Sequence, residues 1–85
     1  MKHAGLAALD TLEPLLAQIR RREALREKTR GAFYRRGKAW LHFHEDPAGL
    51  FADLKLDADW VRLRVSDEPE RLMLLAAIDQ ALGGC

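Results

Sequence analysis

From Phe33 to Val65 the chain alternates apolar and non-apolar residues, and this pattern limits the folds open to it more than anything else in the sequence. Ala39, Leu41 and Phe43 alternate with Trp40, His42 and His44, which is the period of a half-buried strand. Leu50, Ala52, Leu54 and Leu56 alternate with Phe51, Asp53 and Lys55. Val61, Leu63 and Val65 alternate with Trp60, Arg62 and Arg64. A single shared apolar face requires an antiparallel sheet covered on one side only.

The turns set the register. Arg36-Gly37 has the length of a tight hairpin after Phe33-Tyr34-Arg35, with Gly37 able to take positive φ. Asp46-Pro47-Ala48-Gly49 is a turn because proline fixes φ while Asp and Gly suit its flanks. A four-residue loop over Glu45–Ala48 pairs Phe43 with Leu50, Leu41 with Ala52 and Ala39 with Leu54. An Ala58-Asp59 connection pairs Leu56 with Val61, Leu54 with Leu63 and Ala52 with Val65, leaving Asp53 opposite Arg64. A slip of one residue would bury Asp53 and Arg62, so the faces are strongly specified.

Two helices flank this sheet. Asp10-Thr11-Leu12-Glu13 has capping-box spacing, and Leu12, Leu15, Leu16 and Ile19 form a helical stripe, predicting a helix from Thr11 to Glu23. Leu25 to Arg30 is compatible with a further turn of it. Asp67-Glu68-Pro69-Glu70 repeats the capping signature before Leu72, Leu75, Ala76, Ile78 and Leu82, and Gly83-Gly84 ends that helix. Residues 1–9 read as an N-terminal tail and residues 10–85 as a single domain. The expected fold is α+β, a two-layer sandwich ordered α-β-β-β-β-α, with a four-stranded antiparallel meander and both helices on one face.

Composition narrows the function. The chain is 48% hydrophobic and 32% charged, with a net charge of +1, as in an ordinary globular domain. That total hides an asymmetry: residues 20–38 carry nine Lys/Arg against two Glu, whereas residues 45–85 carry four against nine Asp/Glu. The basic half is a candidate anion-facing surface. A lone cysteine, Cys85, excludes a disulfide framework and a cysteine metal site. No stretch approaches the ~20 apolar residues of a membrane span. A cytoplasmic protein of bacterial type with no membrane partner is expected.

The face opposite the apolar one carries the functional candidates: Phe33, Arg35, Lys38, Trp40, His42, Phe51, Lys55, Trp60, Arg62 and Arg64. Aromatics among cations suit single-stranded nucleic acid, with bases stacked on rings and phosphates on charges. The same face also suits protein interaction or homodimerisation, because exposed apolar patches mark interfaces. His42 and His44 point to the same side of a strand and form a candidate metal pair, with Glu45 or Asp46 from the turn as third ligand. The only other histidine, His3, lies in the tail. No Gly-rich phosphate loop, nucleophile elbow or paired carboxylates are present, so a non-enzymatic binding module without a cofactor is expected. The acidic start of the last helix, Asp67, Glu68 and Glu70, argues against a double-stranded RNA-binding domain, and RNP-type strand motifs are absent.

Phe33-Tyr34-Arg35, followed by Lys38-Ala39-Trp40-Leu41-His42-Phe43-His44-Glu45-Asp46, resembles the core of a group of small uncharacterised bacterial proteins. The likeness extends to Lys55 and is most specific at His42–Asp46. It implies the same sandwich and brings no activity with it. The order of elements is also similar to YjbR-type, frataxin-like sandwiches, some of which are thought to bind DNA; this likeness is one of topology, and a shared fold does not carry a function.

Overall fold

Three long strands form where the alternation is cleanest, and shorter elements gather around them. The computed structural model describes residues 1–83 as β1 (Lys2–His3), α1 (Leu6–Arg20), β2 (Arg26–Thr29), β3 (Ala32–Arg35), β4 (Lys38–Asp46), β5 (Gly49–Leu56), β6 (Asp59–Arg64) and α2 (Glu68–Ala81). The antiparallel sheet runs β2-β3-β4-β5-β6, and β1 pairs with β4. Leu12, Leu15, Leu16 and Ile19 of α1 and Leu74 and Ile78 of α2 share one core with Phe33, Leu41, Phe43, Ala52, Leu54 and Val65. The α+β class and the two layers are therefore as the pattern implies, with two strands more than it revealed.

The first added strand is β1. Residues 1–9 do not form a tail, because Lys2 pairs with Glu45 and His3 with His44, on the β4 edge that β3 occupies farther along. Ala4 N–H donates to the Phe43 carbonyl at 3.1 Å, and Gly5 N–H to Glu45 Oε2 at 2.8 Å. The helix then starts at Leu6 with Gly5 as N-cap, so Asp10 and Glu13 lie inside it rather than forming a capping box. Both bind Arg30 instead.

The second added strand is β2, which is polar throughout and so carries no alternation signal. Its Glu27 carboxylate accepts from Gly31 N–H at 2.8 Å and from Arg20, closing the turn into β3. α2 has the expected capping box between Asp67 and Glu70. Its buried side, however, is Leu74 and Ile78, while Leu72 and Ala76 are exposed. Gly83, at φ 79°, follows the helix; Gly84 and Cys85 lie outside the described residues.

Both central hairpins are tighter than expected, each by a shift that keeps the faces and changes the partners. The β4–β5 turn is Pro47-Ala48, with Asp46 opposite Gly49, so Phe43 faces Ala52 and Leu41 faces Leu54. Asp46 Oδ2 accepts from Ala48 N–H at 3.1 Å and holds the chain in that turn. The β5–β6 turn is Asp57-Ala58, with Asp57 at φ 54°, and it places Leu54 opposite Val61 and Asp53 opposite Arg62 rather than Arg64.

A bulge decides the remaining placements. Arg36 and Gly37, at φ 54° and 80°, make the expected two-residue hairpin and pair Arg35 with Lys38 and Tyr34 with Ala39. The next pair is Phe33 with Leu41, so Trp40 is an extra residue on β4. The insertion turns Phe33 onto the face of Leu41, where it is 1% exposed, and re-aims Trp40 into the core cluster, where it is 6% exposed. Arg35 follows: its Nη1 donates to the Ala81 carbonyl of α2 at 3.3 Å. Phe33, Arg35 and Trp40 therefore do not join the open face of the sheet.

Candidate metal centre

On that open face, His42 and His44 project from β4, and His3 reaches the same face from β1 because it lies directly opposite His44. One ligand nitrogen from each of the three lies within 4.8 Å of the others. His42 Nδ1 and His44 Nε2 are 2.9 Å apart. The His3 and His44 rings stack at 4.7 Å, and those of His42 and His44 meet edge-on at 4.8 Å. His3 is exposed and the other two are half-buried, so the cluster opens to solvent.

The tight β5–β6 turn supplies the support. Asp53, 7% exposed, lies across from His42 on one side and Arg62 on the other. Its carboxylate accepts from Arg62 Nε and Nη2 at 2.7 and 2.8 Å and lies 3.0 Å from His44 Nε2. His44 Nε2 thus lies between the Asp53 carboxylate and His42 Nδ1. The Arg62 guanidinium holds the Asp53 carboxyl below the usual carboxylate range. Burial, and next the His44 charge, hold His42 below its ordinary value, which favours the neutral imidazole with a free lone pair.

This arrangement suits a borderline cation. Imidazole nitrogens bind Zn²⁺ at about 2.0–2.1 Å, which sets neighbouring tetrahedral ligands about 3.3–3.4 Å apart. His42 and His44 need only part by about half an ångström to take such a position between them. Asp53, 3.0 Å from that same Nε2, is then within reach of completing the set. Glu45 and Asp46 are not third ligands: Glu45 is turned to Gly5 and Lys2, and Asp46 to the Pro47-Ala48 turn.

The other expected nucleic-acid residues are dispersed. Phe51 is half-buried between His44 and Arg64 in the ladder. Arg62 is committed to Asp53, and Arg64 lies near Ser66 and Glu70. Trp60 is 42% exposed, with its ring centroid 4.8 Å from that of His42 and 5.3 Å from Lys55 Nζ. Lys38 and Lys55 sit at the far end of the sheet, away from the histidines along β4 and β5. His3 was not readable as a site residue, since its place depends on a two-residue strand. Asp53 was readable only from the tighter turn.

No family model matches this chain, and no curated protein or solved structure is detectably similar to it.

Proposed function

We propose that this protein is a small metal-binding module that holds a divalent transition cation on His3, His42 and His44. The observation that carries the reading is the convergence of three imidazole nitrogens within 4.8 Å from two paired strands. Three neutral imidazoles form a donor set suited to zinc, nickel or copper, and they leave at least one position open on the solvent side. Asp53 supports the reading as a carboxylate 3.0 Å from His44 Nε2, placed to complete the donor set around a cation held there.

The test is a titration of the intact chain with Zn²⁺ or Ni²⁺, followed by calorimetry and by the thermal midpoint. A cation that binds the folded chain raises the midpoint by linkage, equivalent to about 2.7 kcal/mol at a hundredfold excess over Kd. The shift is expected to disappear in His42→Ala and in His44→Ala. No shift at millimolar metal, or an equal shift in those variants, overturns the proposal.

A further inference from the structure

The bulge at Trp40 has a second effect at the opposite end of the sheet. The β4–β5 ladder runs from Asp46–Gly49 to Leu41–Leu54 and stops there, so Lys38–Trp40 and Lys55–Leu56 part company. Between them, the two adjacent hairpin turns and the end of α2 lies a groove of about 690 Å³. Arg35, Arg36, Lys38 and Lys55 line it, with Asp57 the single acidic residue on its wall among the described residues. None of these four cations has a carboxylate partner among the described residues, although Arg20, Arg22, Arg30, Arg62 and Arg64 all do. Arg36 and Lys38 are exposed.

Unpaired cations converging on one concavity are costly in mutual repulsion and are relieved by a polyanion. The floor is Trp40, but its ring is buried and Arg35 lies over it at 5.8 Å, so no ligand ring can stack there. The available indole is Trp60, opposite Lys55 in the ladder, with Lys55 Nζ 5.3 Å from its ring. Lys55 thus joins the cationic groove to an exposed aromatic surface. Phosphates in the groove and a base beside Trp60 is the arrangement these positions allow.

We infer that this groove binds a nucleoside phosphate, either a free nucleotide or a nucleotide of a single strand, through Arg35, Arg36, Lys38 and Lys55, with its base against Trp60. The groove contains none of the histidines and the inference does not rest on metal binding, although the Trp60 ring lies 4.8 Å from that of His42. Three of its cations, Arg35, Arg36 and Lys38, come from the basic stretch of the sequence and the fourth, Lys55, from the acidic part; they gather at the sheet end.

The test is a titration of the whole chain with inorganic pyrophosphate, ADP and a short oligothymidylate, at low salt and with a chelator to silence the histidines. ADP and the oligonucleotide are expected to bind, and to weaken as salt rises. The Arg36→Ala/Lys38→Ala variant, which touches no core residue, is expected to lose about tenfold or more, whereas Arg21→Ala, an exposed arginine at the end of α1, keeps wild-type binding. Tighter binding of the oligonucleotide than of ADP assigns the site to a strand; equal binding assigns it to the nucleotide. No binding of any probe, or equal losses in the double variant and Arg21→Ala, overturns the proposal. Pyrophosphate binding as tightly as ADP overturns the part given to Trp60.

Discussion

His3 lies directly across the sheet from His44, and their rings stack at 4.7 Å, although 40 residues separate them in the chain. A strand of only two residues delivers the third imidazole. His3→Ala is therefore expected to weaken zinc or nickel binding without unfolding the domain, since His3 is exposed. Loss of an outer partner alone typically costs about 10–100-fold in metal affinity, and loss of a ligand at least as much. Calorimetry showing wild-type affinity in His3→Ala would remove it from the site.

Asp53 joins two strands by accepting from Arg62 and facing His44 while nearly buried. Asp53→Ala removes the acceptor that Arg62 and His44 face and is expected to cost about 1–3 kcal/mol in urea unfolding. Arg62→Ala is expected to cost at least as much, because it leaves the nearly buried Asp53 carboxylate without its bidentate partner, whereas a freed Arg62 is half exposed and solvated. A cost for Arg62→Ala well below that of Asp53→Ala would show that Asp53 does not depend on Arg62.

The two tryptophans are expected to behave oppositely. Trp40→Ala removes a buried ring and is expected to cost about 3–5 kcal/mol, as is Phe33→Ala. Trp60→Ala is expected to stay within about 0.5 kcal/mol, as for a surface position. Fluorescence separates them: Trp60→Phe should leave a blue-shifted emission resistant to iodide, and Trp40→Phe a red-shifted emission that iodide quenches. Equal quenching of both would contradict the bulge.

Glu13 bridges Arg20 and Arg30, whose guanidinium hydrogen bonds hold its carboxyl at about 2. A carboxylate depressed in the folded state stabilises fully above its unfolded value, and that contribution fades as pH falls from about 4.5 toward 2. Acid unfolding followed by circular dichroism should show a shallower fall over that window in Glu13→Gln. An unchanged acid limb in the variant would show that the pair contributes nothing to the folded state.

Alternation in residues 38–65 and the leucine stripe of α1 were enough to determine the class, the two layers and the covered face. Period-two patterning survives a register shift of two residues, because such a shift leaves every side chain on its own face. For the same reason the pattern was blind to partners: it paired Asp53 with Arg64, while two tighter turns put Arg62 and His42 beside it. Those partners decide whether the histidines stand alone or are buttressed.

The placements of Phe33, Arg35, Trp40 and His3 came only with the tertiary structure. One extra residue at Trp40 reverses the parity of the β3–β4 pairing, and period-two arguments lose their phase at a bulge. The bulge is favoured because it buries two large rings, Phe33 and Trp40, that an unbroken ladder would leave facing water. His3 joins the site because the β4 edge beyond the end of β3 offers unpaired peptide groups, and the nearest chain able to satisfy them is the segment before α1. Local sequence carries no signal for either event, since both are settled by hydrogen bonds and burial between residues far apart in the chain.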